Sequence, residues 1–251
     1  MMHLLCPISA GEYPIGADAL PHSRPAHQVT LTAFTIGVSA VTNAQFAEFI
    51  DAGGYSNTLF WTQMGWRWQG FKQETQPAFW NDERFNKPSQ PVVGVCWYEA
   101  AAFARWMALE TRDTWRLPTE VEWEAAARGT EQAPVINQRK VDATVINSVE
   151  RGVAQPWDAQ GVGNQVACGA WNMLGNVWEW TSSRWGRNWQ TLEYTYPYDA
   201  SDGREDLSGS HARVMRGGSY FDVFSEANPV NRGRFLPGGR ASNIGFRLAL
   251  G

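Results

Sequence analysis

The chain has 251 residues, 43% of them hydrophobic, so it is long enough to bury a substantial core. A net charge of −4 gives no broad basic surface for nucleic acid, and no apolar run reaches the roughly 18 residues of a membrane helix. A secretory signal pattern is missing, and the three cysteines are too widely spaced for a disulfide framework or a zinc site. We therefore expect one cytoplasmic domain over residues 1–251, with reduced thiols and no nucleic-acid or membrane partner.

The first half of the chain predicts a strand and two helices. Gln28–Ile36 alternates apolar and polar residues, which is typical of a strand. Thr42 and Gln45 have capping-box spacing and begin a helix that Gly53-Gly54 ends. A second helix is expected from Trp97 to about Leu109, because apolar residues recur there along one face.

The third helix has the clearest signals, and the sequence changes character after it. Thr119 and Glu122 form a second capping box, and Gly129 ends the helix. Beyond it, long loops rich in Gly, Asn, Trp and Pro separate three short strand candidates, which are Val177–Ser182, Arg213–Tyr220 and Ile244–Leu250. This order of elements predicts an α+β fold, and long ordered loops inside a domain are often functional.

Six motifs carry a family resemblance. They are VTNAQF (41–46), PVVGV with WYEA (91–100), RLPTEVEWE (116–124), GNVWEW (175–180), RGGS (216–219) and GFR (245–247). Together they resemble the formylglycine-generating enzyme, or sulfatase-modifying factor, family, in that family's order and over nearly the whole chain. The resemblance implies a C-type-lectin-like fold with short twisted sheets, about three helices, long ordered loops and a loop-built site near the C-terminal strands.

Two catalytic branches of that family use metal sites. The oxidase branch binds copper through a cysteine pair shortly after the Arg-Gly-Gly-Ser motif, but residues 221–229 here contain no cysteine. The sulfoxide synthases of ergothioneine-type pathways are similar in the segment from Gly53 to Trp80, and they bind iron through histidines on a separate helical domain. The four histidines here show no pair at helical ligand spacing, so neither a copper nor an iron site is evident.

A third branch is non-catalytic and includes the variable proteins of diversity-generating retroelements. Mutagenesis of adenines in Asn codons cannot produce Lys, Glu, Gln, Trp or Met. These five types make up 51 of the 251 residues, so about five are expected among residues 221–243 by chance. Glu226 is the only one there.

We therefore predict a ligand-binding or display protein whose variable or binding segment lies within residues 216–247 and whose partner is an unknown ligand, most simply a protein. The alternative is an oxygen-dependent oxidase or sulfoxide synthase that uses a metal site not evident in this chain. The predicted binding residues are Tyr220, Phe221, Asp222, Val223, Phe224, Glu226, Asn231, Gly233, Arg234, Phe235, Ser242 and Asn243. Among them, Phe221, Asp222, Val223, Gly233, Arg234 and Phe235 are expected to project into solvent, whereas Trp178, Trp180 and Phe246 are expected in the core.

The Gly175–Trp180 motif resembles a family calcium site. The resemblance implies a structural Ca²⁺ held by Asn176, Val177 and Glu179 through oxygen ligands. In the other interpretation, Asn176 caps a turn and Glu179 pairs with an arginine inside a tryptophan-rich core. The sequence leaves both open.

Overall fold

The computed structural model describes residues 4–130 and 143–251 and confirms a mixed α+β fold of short, curled sheets. Its α-helices are α1 (Asn43–Asp51), α2 (Gln63–Lys72), α3 (Trp97–Thr111) and α4 (Glu120–Arg128). Its strands are β1 (Leu5–Ile8), β2 (Gly11–Ile15), β3 (His27–Leu31), β4 (Phe34–Gly37), β5 (Trp115–Arg116), β6 (Trp178–Gly186), β7 (Ala212–Arg216), β8 (Gly233–Phe235), β9 (Ile244–Phe246) and β10 (Ala249–Leu250). None of the helices in these residues is long and apolar enough to cross a membrane.

The three predicted helices all form, and two of them begin at their predicted caps. The side chains of Thr42 and Thr119 accept the backbone N–H of the third helical residue, and Gln45 and Glu122 complete the two capping boxes. Helix α2 was not predicted, so the count of about three is one short. Its N-cap is Thr62, whose side chain accepts the backbone N–H of Gly65. Because glycine has no side chain that could accept a hydrogen bond in return, no capping box forms.

The strands form three sheets, in the orders β1-β4-β10-β5, β2-β3 and β8-β7-β6-β9. The predicted strand 28–36 is wrong as a single element, because β3 pairs with β2 whereas β4 pairs with β1 and β10. The predicted strand 244–250 is likewise divided. Strand β9 runs parallel to β6, and β10 crosses into the first sheet. Residues 244–250 therefore connect the third sheet to the first.

An aromatic core lies between the helices and the last sheet. Phe46, Phe103 and Phe246 are fully buried, and the rings of Phe103 and Phe246 meet edge-to-face with centroids 5.4 Å apart. Trp178 and Trp180 are also buried, as predicted. Burial of each such side chain stabilises the fold by about 1.5–3 kcal/mol, so this core gives the neighbouring loops a rigid base.

Buried ion pairs fix the C-terminal half of the chain to the rest. Arg216 pairs with Glu124, Arg232 with Glu120, and Arg247 with Glu179, and all six side chains are 0–1% exposed. Two of these carboxylates belong to α4, so that helix holds both ends of the loop that follows β7.

Candidate functional site

The Arg-Gly-Gly-Ser motif forms a sharp turn at the end of β7. Arg216 donates to the backbone carbonyls of Val230 and Asn231 at 2.9 and 3.0 Å, which closes the following loop onto the strand. Gly217 and Gly218 have φ angles of 102° and 75°, a region that side chains disfavour. A Cβ on Gly218 would lie 2.9 Å from the Cα of Ala227. The turn therefore requires glycine, and it directs the chain away from the sheet.

Asp222 anchors the loop that leaves this turn. Its carboxylate accepts the indole N–H of Trp178 at 2.8 Å and the hydroxyl of Ser219, and Ser219 in turn accepts the side-chain N–H of Asn243 at 3.0 Å. The backbone carbonyl of Asp222 accepts the N–H of Val149 at 2.9 Å. The prediction that Asp222 projects into solvent is wrong, because its carboxylate is held by these donors and the side chain is half-buried.

The residues on either side of Asp222 present an exposed apolar surface. Phe221 is 71% exposed and Val223 is 48% exposed. Val149, which is 47% exposed, joins them because its N–H bonds the carbonyl of Asp222 between them. We call Val149, Phe221 and Val223 the Phe221 face.

Sequence reasoning missed the contribution of residues 149–151 to this face. Their short 3₁₀ helix brings the carboxylate of Glu150 to the backbone N–H of Phe224, with distances of 2.9 and 3.0 Å. That hydrogen bond, helped by the Ser148 side chain, lowers the pKa of Glu150. Glu150 thus caps the start of the 3₁₀ helix Phe224–Glu226 from a segment 74 positions earlier in the chain. No sequence spacing could reveal it.

Tyr220 is a correction to the predicted surface. The ring is buried beside Phe85 and is only 3% exposed. Burial raises the pKa of the Tyr220 hydroxyl, which therefore stays protonated and donates to Ser242 Oγ at 2.9 Å. The buried Tyr220 and its partner Ser242 thus hold the chain in place directly after the Arg-Gly-Gly-Ser turn.

The expected exposure of Gly233, Arg234 and Phe235 is wrong, because all three residues are half-buried and pack against aromatic side chains. A Cβ on Gly233 would lie 2.8 Å from the Trp178 ring, and its φ is not in the left-handed region. Arg234 stacks over Trp185 with its guanidinium 5.0 Å from the ring centroid. Phe235 packs on the aromatic core, with its ring centroid 6.4 Å from that of Trp180.

Phe224, Glu226 and Asn231 lie further along the same loop. Phe224 is half-buried against Ile146 and Leu174. The Glu226 side chain is exposed and accepts a hydrogen bond from the Asn231 amide. This pair closes the loop between Phe224 and the buried Arg232.

The side-chain oxygens of Asn176 and Glu179, two of the three residues in the predicted calcium set, already have hydrogen-bond donors. Glu179 accepts Trp123 Nε1 at 2.6 Å and Arg247 Nε and Nη2 at 2.6 and 2.7 Å, which occupies three of its roughly four lone pairs. Asn176 Oδ1 accepts two N–H groups, from Asn147 and Trp157. A cation there would meet the Arg247 guanidinium, so these side chains do not fit Ca²⁺ in this geometry. The contacts match the other interpretation, a capped turn and an ion-paired glutamate; Ca²⁺ binding by the protein stays a prediction.

The thiols and the histidines of the described residues do not gather at this site. Cys6 and Cys96 are buried elsewhere, and Cys168 is half-buried. Within residues 4–130 and 143–251, no group of three or more His, Cys, Asp or Glu side chains is placed to hold a metal ion.

A cavity of about 500 Å³ opens beside α2, away from the Phe221 face. Tyr55, Trp66, Gln69 and Glu74 supply its aromatic and polar walls. Behind it, Arg240 pairs with Glu74 at 3.0 Å and also with the buried Glu99. The cavity coincides with the segment that resembles the sulfoxide synthases.

Known proteins resemble this chain over its whole length. Residues 4–251 match the family described as "Sulfatase-modifying factor enzyme 1-like domain". A hercynine oxygenase of Mycolicibacterium thermoresistibile is 35% identical over 92% of the chain, which spans only 54% of that relative. A formylglycine-generating enzyme of Streptomyces coelicolor is 30% identical, over 96% of the chain and 87% of the relative. The solved structure of Treponema denticola variable protein 1 superposes with a TM-score of 0.69 at 21% identity, covering 98% of this chain and 94% of that one, which shows a shared fold.

Proposed function

Because this chain belongs to the sulfatase-modifying factor enzyme 1-like family, whose members differ in function, we propose from its site that it is a non-catalytic ligand-binding protein. The observation that carries this proposal is the Phe221 side chain, 71% exposed on a backbone that is held in place on both sides. An exposed aromatic ring on a rigid turn offers contact area without a large ordering cost, which is how binding hot spots are built.

The chemistry around the Phe221 face favours a protein ligand. Val149 and Val223 extend the apolar area, and the two segments that form it also carry the carboxylates of Glu150, next to Val149, and of the exposed Glu226. An apolar centre with a polar rim is typical of protein–protein interfaces. These carboxylates complement a partner that carries basic residues around an apolar patch.

Retroelement diversification is the finer form of this proposal. The fold limits which positions could be diversified. Arg232 is buried in an ion pair and Val230 is fully buried, so substitution of either residue would destabilise the protein. The variable positions would then be the exposed ones other than Glu226, a residue type that this mutagenesis cannot produce, namely Phe221, Val223, Ser225 and Leu236. Genomic DNA tests this directly. A nearby copy of these codons that differs only at adenines, beside a reverse transcriptase gene, is expected, and its absence would leave a fixed binding surface.

Site-specific photo-crosslinking tests the binding surface itself. A photoreactive phenylalanine analogue at position 221 should capture one dominant protein in the source organism. The matched control is the same analogue at Phe71, which is 82% exposed on α2 and remote in sequence from the proposed face. Equal capture from both positions, or none from position 221, would contradict the proposal.

A second candidate function is supported by the cavity beside α2 together with the 35% identity to a hercynine oxygenase. In this hypothesis the chain binds the substrate of an oxygenase or sulfoxide synthase, and the metal ligands come from a part or partner that corresponds to the unmatched portion of that relative.

Metal analysis and oxygen consumption separate the two functions. The ligand-binding proposal predicts no thiol-dependent oxygen uptake by the purified chain, alone or with added iron or copper salts. Stoichiometric, tightly held iron or copper together with such uptake would favour the second function and overturn the first.

A further inference from the structure

Two cysteines that are far apart in sequence, Cys6 and Cys168, lie close together beside the first sheet. Cys6 lies on the edge strand β1, opposite Ile36 of β4, and is 3% exposed. Cys168 lies in the turn before Trp171 and packs against the same apolar cluster. Cys6 Sγ lies 3.7 Å from the position that a Cβ would take on Gly169, the neighbour of Cys168. The two thiols are therefore neighbours, and the Cys168 thiol is close enough to raise the pKa of Cys6.

The surroundings give the two thiols different roles. Cys168 is half-buried, so solvent can reach this residue, and its thiol donates to the backbone carbonyl of Ala126 at 3.5 Å. Burial, together with the adjacent Cys168, raises the pKa of Cys6 to about 11. Cys6 is thus a protonated, shielded thiol, and an oxidant in solution reaches Cys168 first.

We propose that Cys6 and Cys168 form a redox-reactive dithiol, which a hydroperoxide converts into an intramolecular disulfide. In the first step the Cys168 sulfur attacks one oxygen of hydrogen peroxide, the O–O bond breaks, and a sulfenic acid and one water form. In the second step the Cys6 sulfur attacks the Cys168 sulfur and displaces the hydroxyl group, which leaves as a second water with the Cys6 proton. Two thiols are oxidised by two electrons, and one peroxide is reduced to two waters.

The disulfide would tie the edge strand β1 to a turn that the fold already holds. Gly169 donates to the carbonyl of Val166 at 2.8 Å, and Trp171 donates to Val38 beyond the end of β4 at 2.6 Å. Because the link closes a very long loop of the unfolded chain, it should restrict the unfolded state strongly. We expect oxidation to raise the melting temperature of the folded protein by about 5 °C.

Peptide mapping of the oxidised protein tests the proposal. The reduced chain is treated with a small excess of hydrogen peroxide and then blocked with iodoacetamide under denaturing conditions. The expected product is a monomer that has lost two hydrogens and yields a peptide linking Cys6 to Cys168, with Cys96 alkylated. Oxidised glutathione should give the same link while releasing two reduced glutathione molecules.

Two variants make the result decisive. Cys96→Ala is the matched control, because Cys96 lies at the start of α3 outside this contact, and it should still form the link. Cys168→Ser should leave Cys6 reduced and abolish the rise in melting temperature. Cys6 that remains alkylatable in the oxidised wild type, Cys168 linked between two molecules, or Cys168 oxidised to sulfinic acid without a link would each overturn the proposal.

Discussion

The two halves of the loop segment after β7 are built differently. Residues 221–226 are anchored through backbone groups and Asp222, and Phe221 and Val223 point outward. Residues 230–235 use their side chains as structure, because Arg232 holds Glu120 and Phe235 packs on Trp180. One stretch that looks uniform in sequence therefore contains an exposed surface and a part whose side chains hold the fold together.

The difference comes from where each half finds its hydrogen-bond partners. In residues 221–226, backbone bonds to Ser148–Glu150 and the turn fix the chain whatever the exposed side chains are. In residues 230–235, a buried guanidinium satisfies a buried carboxylate, so the side chain itself is required. We therefore expect Phe221 and Val223 to be the residues of this segment that can serve recognition without loss of the fold.

The largest effect is expected from Arg232→Met. It removes both hydrogen bonds that Arg232 donates to Glu120, at 2.7 and 2.9 Å, and leaves a buried carboxylate without its main partner. The free energy of unfolding should fall by about 3–5 kcal/mol in urea titrations. Arg187→Met is the control, since the exposed Arg187–Glu193 pair should contribute little. Equal, small losses for both variants would contradict the buried role of Arg232.

Gly233→Ala should give the next largest loss. The added Cβ would lie 2.8 Å from the Trp178 ring, and such overpacking costs about 1–3 kcal/mol. Gly70→Ala is the matched control on α2, because no heavy atom lies within 4 Å of its added Cβ. It should be neutral or stabilise by about 0.5–1 kcal/mol. Similar urea midpoints for the two variants would contradict this prediction, because they would show that the Trp178 ring moves aside at little energetic cost.

Two phenylalanines sharpen the comparison. Phe235→Ser should cost about 1–2 kcal/mol of unfolding free energy, because its ring is partly buried on the core. Phe221→Ser should cost about 0.5 kcal/mol or less, since its ring is exposed. Thermal melts of the two proteins measure this difference, and a loss for Phe221→Ser as large as that for Phe235→Ser would place Phe221 in the core.

A smaller effect depends on pH. The backbone N–H of Phe224 lowers the pKa of Glu150 in the folded protein, so the charged carboxylate is favoured there. Its stabilising contribution is present above the ordinary Glu pKa of about 4.3 and is lost as the pH falls through the lowered folded pKa. The difference in stability between wild type and Glu150→Gln should therefore shrink on acidification below about pH 4. A difference that grows on acidification would have the wrong sign.

The smallest expected effect is that of calcium at Asn176 and Glu179. Both side chains are already bonded to N–H donors, so melting temperatures in excess calcium and in chelator should agree. A calcium-dependent rise of several degrees would show that the ion displaces Arg247 from Glu179 or binds elsewhere.

The sequence predicted those elements whose signals are local. Capping boxes at Thr42 and Thr119 need only two side chains three residues apart, and both helices begin there. The break between β3 and β4 was missed because the alternation of apolar and polar residues continues across it while the partner strand changes. The alternation of apolar and polar residues therefore indicates a strand but does not specify which strand it pairs with.

The candidate site was predicted only in part, for the same reason. Phe221 and Phe235 look alike in sequence, and their burial differs because Gly239 and Trp180 leave a place for the ring of Phe235. Arg232 reads as an ordinary loop arginine, since its partner Glu120 lies 112 positions earlier. Contacts over such separations are set by the fold.

A saturation library across residues 220–243, displayed on cells and selected for resistance to protease, tests the central claim most directly. We expect most substitutions to survive at Phe221, Val223, Ser225 and Leu236, and few to survive at Val230, Arg232, Gly233 and Phe235. Uniform tolerance across the segment, or intolerance at Phe221 and Val223 equal to that at Arg232, would contradict the division of this loop into a variable face and a structural half.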